Sequence, residues 1–247
     1  MNETLKTIHN LKSIREFSDK EISKEDLEKI LNASIQAACA SARQNYSIIV
    51  VEDEEILKKL FYRANKGLLF CIDYTRIIDT AKYLKYEFCP DNIQEFITGS
   101  TDTILAAQTA AIAAKALGIG SLFTNSVHRA PLPEIYELFN LPQEFCFPSV
   151  ALCLGYAKKE PAEKRGRLTT GVIHYHKHKR VSSEEIDSII EEYADEKKNL
   201  GMTAEQLTEY GVKDYFEFFF TKWTRPRNPE RIEDLYNTLT KAKFFRS

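Results

Sequence analysis

TILAAQTAAIAAKAL, residues 103–117, is the stretch that decides how this chain is built. It carries seven alanines, and its only long polar side chains are Gln108 and Lys115. Alanine is the strongest helix former, and a helix that is apolar nearly all round has to be packed on several sides. The segment therefore predicts a central helix, with Ser100, Thr101 and Asp102 as capping candidates before it. Gly118 stands where a helix end wants a left-handed residue. Such a helix also suits a subunit interface.

Upstream, Ser23-Lys24-Glu25-Asp26 opens a helix, its Ser23 hydroxyl placed to accept from the third amide. Leu27, Ile30, Leu31 and Ile35 form its apolar stripe. Residues 46–51 are a β-branched run of strand length, Asp53 begins a second helix with Ile56, Leu57, Leu60 and Phe61 on one side, and 68–74 is a buried strand. Downstream, 120–124 is a short strand or loop, 133–139 a helix and 148–156 (PSVALCLGY) a buried strand, followed by a basic loop over 158–167. Beyond Val181 the composition turns polar and helical. Ser182-Ser183-Glu184-Glu185 opens a helix bearing Ile186, Ile189, Ile190 and Tyr193, and Tyr215 to Phe220 with Trp223 form an aromatic run suited to packing on the body or on a second subunit. The division expected is a body over 1–181 and a helical extension over 182–247.

A chain of 247 residues, 43% hydrophobic, can bury one large core or two modest ones. With 34 basic against 36 acidic side chains the net charge is -2, which argues against nucleic acid as a partner. The five cysteines are widely spaced and odd in number, as expected of reduced thiols rather than a disulfide framework. The first ten residues lack the apolar run of a leader, and charged side chains interrupt every candidate span. A soluble, cytoplasmic protein with no membrane partner is expected.

Several chemistries lack their motifs. Gly118-Ile119-Gly120 follows a helix, whereas a dinucleotide fingerprint follows a strand. There is no Gly-Lys-Ser/Thr loop, no Gly-x-Ser-x-Gly turn and no cysteine in an activating context. His174, His176 and His178 would face one side of an extended segment, but no nearby Cys or carboxylate completes a ligand set, so no metal is assigned. What remains is Ser13-Ile14-Arg15-Glu16-Phe17 and Arg165-Gly166-Arg167-Leu168. A phosphate monoester carries nearly two negative charges and wants fork-shaped donors plus a hydroxyl, which these clusters provide together. Either alone reads more readily as solvated arginines.

These segments, in this order, resemble the FMN-dependent nitroreductase family, and within it the branch of oxygen-insensitive NADPH nitroreductases and flavin reductases. The resemblance spans roughly residues 5–180. It rests on Ser13-Ile14-Arg15-x-Phe17, the strand Ser47-Ile48-Ile49-Val50-Val51, and Asp102-Thr103 with Ala107-Gln108-x-Ala110. It continues through Leu117-Gly118-Ile119-Gly120, Leu152-Cys153-Leu154-Gly155-Tyr156, Arg165-x-Arg167-Leu168 and Val172-Ile173-His174.

The resemblance implies an α+β fold, a mostly antiparallel sheet flanked by helices, in a homodimer with FMN at the subunit interface. It implies a ping-pong hydride transfer from NADH or NADPH through flavin N5 to a nitroaromatic, quinone or flavin, with no catalytic side chain. Lys12, Ser13, Arg15, Arg165 and Arg167 would anchor the flavin phosphate and ribityl chain. Ser41 and Gln44 would lie near the flavin, and Asn125 and Ser126 would pass its ring. The chain departs from the pattern at Leu11, often polar in the family, and at Lys12, often arginine. The stretch between Leu60 and Leu68 is also short and lacks the branch's Gly-Gly-Gln loop. These departures motivate the alternative of a flavin-binding protein with little or no turnover.

Overall fold

The structure, a computed structural model, describes residues 1–161, 164–224 and 229–245. Contacts group the chain into two compact units, Met1–Glu160 with Glu230–Ser247, and Pro161–Pro229. The boundaries fall at 160/161 and 229/230, not at 181/182, and the last residues return to the first unit.

In the first unit the order is α1 (Glu3–His9), α2 (Lys24–Ser34), β1 (Tyr46–Val51), α3 (Glu54–Leu60), β2 (Lys66–Asp73), α4 (Thr75–Tyr83), α5 (Ile93–Ala116), β3 (Gly120–Thr124), α6 (Leu132–Leu138) and β4 (Cys146–Gly155). The four strands lie in the order β1-β2-β4-β3, every pair antiparallel, which is the expected α+β architecture. The two central strands are apolar almost continuously because both faces of the sheet are covered. Strand alternation sends Leu68, Phe70, Val150, Leu152 and Leu154 into one core with α2 and the alanines of α5. Leu69, Cys71, Ala151 and Cys153 enter the opposite core with Leu57, Leu60, Ile135 and Tyr136 of α3 and α6.

The central helix is longer than 103–117. It starts at Ile93, capped by Asn92, whose side chain accepts from the Glu95 amide at 3.0 Å. The capping candidates lie inside it: Ser100 Oγ and Thr101 Oγ1 donate back to the Phe96 and Ile97 carbonyls, and Asp102 is buried. Ser and Thr can bond a carbonyl one turn back instead of capping, and here they do. The far end is as expected. Gly118 takes φ 75°, and the Ile119 and Gly118 amides donate to Ala114 and Lys115 carbonyls in a paired closing motif.

In the second unit, α7 (Ser183–Ala194) begins with a reciprocal capping box between Ser182 and Glu185. It is followed by α8 (Ala204–Tyr210) and α9 (Tyr215–Phe218), which runs into a π-helical turn at Phe219–Trp223. The aromatic run packs on itself: the Tyr193 and Tyr215 rings stack at 4.8 Å, Tyr193 meets Phe216 at 4.9 Å, and Tyr210 meets Phe218 at 4.8 Å. Of the basic loop 158–167, Ala162 and Glu163 lie outside the described residues. The histidine segment is no extended strand, since His176 takes φ 69°. His174 and His178 come to 4.8 Å between ring centroids, and among the described residues no group of three His, Cys, Asp or Glu suits a metal.

The final helix, α10 (Pro229–Lys241), and the residues just after it bring Leu239, Ala242 and Phe244 into a third core with Ile72, Tyr74, Phe145 and Phe147. Phe244 is fully buried, which is why this stretch belongs to the first unit. Among the described residues no helix is long and apolar enough to cross a membrane.

Candidate functional site

Residues 13–18 run along the end of the β3/β4 pair. The Ile14 amide donates to the Ser121 carbonyl at 2.9 Å, the Ser18 amide to Tyr156 at 2.8 Å, and the Lys158 amide back to Glu16 at 3.0 Å. Gly120 and Gly155 are register partners across β3 and β4. A Cβ built on Gly120 would lie 2.6 Å from Ile14 Cγ1, and one on Gly155 would lie 2.7 Å from Phe17 Cδ1. The glycine pair is thus a cradle that holds Ile14 and Phe17. In an extended backbone alternate side chains face opposite ways. With Ile14 buried, Ser13 and Arg15 are exposed and Lys12 is half-buried. A hydroxyl and a guanidinium are therefore held on a rigid base with an ammonium next to them in sequence, a donor set that suits a phosphate monoester.

The loop 40–45 carries Ser41 and Gln44, and three of its residues are left-handed: Ser41 at φ 51°, Ala42 at 55° and Gln44 at 51°. Residues other than glycine avoid this region, so the surroundings must impose it. Asp102, 2% exposed in the middle of α5, accepts from the Ala40 amide at 2.8 Å, the Asn45 amide at 3.3 Å and Asn45 Nδ2 at 3.0 Å. Arg76 of α4 donates through Nη2 to the Arg43 and Gln44 carbonyls at 2.9 and 2.6 Å. Arg43 pairs with Glu95 at 3.3 Å, and Glu95 in turn accepts from the Tyr74 hydroxyl at 2.8 Å. Burial, reinforced by that bond, pushes the Tyr74 phenol well above its ordinary range. Gln44 Nε2 donates to the Ile35 carbonyl and to the Tyr46 hydroxyl at 3.3 and 3.4 Å.

Asn125 and Ser126 follow the end of β3, with Thr124 roughly 10 Å along the strand from Ser121. Asn125 is exposed. The Ser126 hydroxyl is engaged, donating to the Leu60 carbonyl at 2.6 Å, and its amide donates to Thr124 Oγ1 at 3.1 Å. The short connection after Leu60 turns through Tyr62 and Arg63, both at φ 55°.

Arg165 and Arg167 belong to the second unit. Arg165 Nη1 donates to the Gly201 carbonyl, and Arg167 Nη1 to the Arg165 and Gly166 carbonyls at 3.1 and 2.8 Å. Of the cysteines, Cys71, Cys146 and Cys153 are buried, Cys39 is half-buried and Cys89 exposed, all free. Burial pushes the Cys153 thiol up to about 12.

Three features of the site were absent from the reading of the residues: the roles of Asp102 and Arg76, and the glycine cradle. A lone acid inside an alanine-rich helix was the available signal for Asp102. Arg76 had none, because its partners are carbonyls more than thirty positions away.

A profile described as the Nitroreductase family matches residues 8–73. An Archaeoglobus fulgidus protein named for NADH dehydrogenase or NAD(P)H nitroreductase activity is 36% identical over 163 residues, 65% of this chain and 88% of its own. An FMN reductase (NAD(P)H) of Bacillus subtilis is 28% identical over 222 residues, 85% of this chain and 83% of its own. Among solved structures, NfrA2 of B. megaterium superimposes with a TM-score of 0.81 at 27% identity, covering 100% of both chains.

Proposed function

The chain belongs to the nitroreductase family, and from that premise we propose that it carries reducing equivalents in a ping-pong cycle from NAD(P)H to a nitroaromatic, quinone or flavin acceptor. It is an FMN-dependent NAD(P)H oxidoreductase, as its FMN reductase relative indicates. When bound, FMN supplies the hydride-accepting centre, and the protein's part is binding, orientation and exclusion of competing reactions.

The observation that carries the residue assignment is the glycine cradle. Ile14 and Phe17 are seated over Gly120 and Gly155, so Ser13 and Arg15 project from a fixed base to hold the phosphate, with Lys12 beside them in sequence. The length of β3 separates this anchor from Asn125 and Ser126, which pass the ring, while Ser41 and Gln44 border the flavin from the 40–45 loop. No side chain is asked to act as a nucleophile.

Ser13, Arg15, Ser41 and Asn125 are all exposed in the single chain, an open half-site that a second subunit would close. The face of α5 carrying Ile97, 58% exposed, and Ile104, 49% exposed, is the surface proposed for that homodimer. The free thiols accord with a cytoplasmic setting.

The test is the visible absorption of FMN-reconstituted, desalted protein under anaerobic conditions, before and after NADPH and then NADH. Retained flavin that bleaches is expected, and the faster nucleotide is the donor. Flavin retained but unbleached by either would establish the second reading, a flavin-binding protein with little turnover, which the tight Tyr62-Arg63 turn in place of a longer loop favours. Protein that retains no flavin would sink both.

A further inference from the structure

We propose that Asp102 and Arg76 are positioning residues for the flavin, acting as a two-sided clamp that holds the 40–45 loop in its left-handed form. The inference rests on the FMN reading above and deepens it. Neither residue belongs to the set expected to touch the cofactor.

The argument begins with the conformation. Ser41, Ala42 and Gln44 all lie between φ 51° and 55°, without a glycine among them. A free loop of this composition would leave that region, so its shape is stored by partners elsewhere. Asp102 pulls from the core side, taking the Ala40 amide on one carboxylate oxygen and the Asn45 amide and side chain on the other. It thus brackets the strained residues at both ends. Arg76 pulls from the solvent side, taking the two consecutive carbonyls of Arg43 and Gln44 on one nitrogen.

The amides are satisfied by an acceptor and the carbonyls by a donor, so the backbone between them has little freedom to invert. Neutralising Asp102 as asparagine would put an NH2 group against one of the amides it now accepts from. Two buried atoms, Asn45 Oδ1 and Arg43 Nε, have no hydrogen-bond partner among the described residues. A loop folded for stability alone would satisfy them, since each costs the desolvation of an unmade bond. A loop held open for a ligand need not. Pre-organisation of this kind raises affinity by removing the ordering cost of binding.

The experiment compares the full-length parent with Asp102→Asn, the reciprocal swap Asp102→Asn with Asn45→Asp, and Arg76→Met. FMN affinity is measured by flavin fluorescence, the visible maximum at saturating FMN by absorbance, and apoprotein melting separately. The single Asp102 change is expected to weaken FMN binding about tenfold, and the swap, which restores the side-chain carboxylate-amide pair but leaves an NH2 group at position 102 against a backbone amide, to recover only part of it. Arg76→Met removes an exposed side chain and leaves the core intact. It is expected to weaken FMN binding about threefold and move the flavin maximum without shifting apoprotein melting.

Should Asp102→Asn fail to fold, Arg76→Met decides the matter. Variants that bind FMN as the parent does would overturn the clamp, as would a loss confined to the Asp102 variants with Arg76→Met unchanged in affinity and flavin maximum. A parent that binds no FMN would instead sink the cofactor reading, so the two failures are distinguishable.

Discussion

Ile14 occupies the space that a side chain at position 120 would need: a Cβ on Gly120 would lie 2.6 Å from Ile14 Cγ1 and 3.0 Å from the Gly155 carbonyl oxygen. The exposed donors on either side of Ile14 owe their placement to this contact. Gly120→Ala is therefore expected to cost about 1–3 kcal/mol of stability through overpacking. It should also weaken FMN binding, because Ser13 and Arg15 shift with Ile14. Urea unfolding and an FMN titration on the same preparation check both; a variant unchanged in either would place the anchor elsewhere.

Arg15→Ala removes an exposed side chain and is expected to leave thermal melting within about a degree of the parent while weakening FMN binding about 10–100-fold, the size of a charge-assisted bond of about 1.5–3 kcal/mol. The loss should shrink as ionic strength rises. Flavin content after desalting, at low and high salt, is the readout.

His128 makes stability depend on pH. Its Nε2 donates to the Pro148 carbonyl at 2.6 Å and its ring stacks on Phe147 at 5.5 Å. Burial lowers its pKa below the ordinary 6.5, against a smaller opposing effect of the bond to Pro148. Because the folded state resists protonation, its contribution is fully present above pH 6.5 and is lost as pH falls through the lowered folded value. His128→Phe keeps the stacking but strands the Pro148 carbonyl. It is expected to cost about 1–3 kcal/mol at pH 8 and to flatten the decline below pH 6.5, measured by melting at stepped pH.

The thiols are expected to be bystanders. Cys89 is exposed, whereas Cys71, Cys146 and Cys153 are buried, with burial holding Cys153 at about 12. A hydrogen bond with Cys71, followed by burial, pushes the Cys146 thiol up as well. Titration of native protein with a thiol reagent should modify Cys89 fast, Cys39 slowly and the rest only after denaturant. FMN reduction should survive the modification of Cys89; its loss would reopen the case for thiol chemistry.

Ile97→Glu with Ile104→Glu places two carboxylates on the outer face of α5, where the native side chains are 58% and 49% exposed. Light scattering is expected to show a dimer for the parent and a monomer for this variant, which should also lose most of its flavin. A variant that stays dimeric would move the interface off this face.

Much of this architecture was legible because local patterns agree with the fold. The strand over Tyr46–Val51 and the helix cap at Ser23 lie where the residues place them, the latter accepting from the Asp26 amide at 3.1 Å. The start of α5 was not legible, since Ser100, Thr101 and Asp102 look like caps until the chain upstream is seen to be helical already. The returning segment around Phe244 was equally hidden, because its partners Tyr74 and Phe145 are far away in sequence.

The site divides in the same way. Ser13 and Arg15 entered the proposal through the family resemblance, since by residue type alone they read as solvated side chains. The left-handed turns at Ser41, Ala42 and Gln44 could not be singled out, since no glycine announces them and the forces that impose them come from Asp102 and Arg76. By itself the sequence determined the helices after Ser23, Asp53 and Ser182, the strands over 46–51 and 68–74 and the buried alanine face, all of which depend on near neighbours and side-chain chemistry. Only the tertiary structure decided that Gly120 and Gly155 form a cradle and that a buried carboxylate fixes a distant loop. Those are contacts between segments whose separation along the chain carries no trace of their meeting in space.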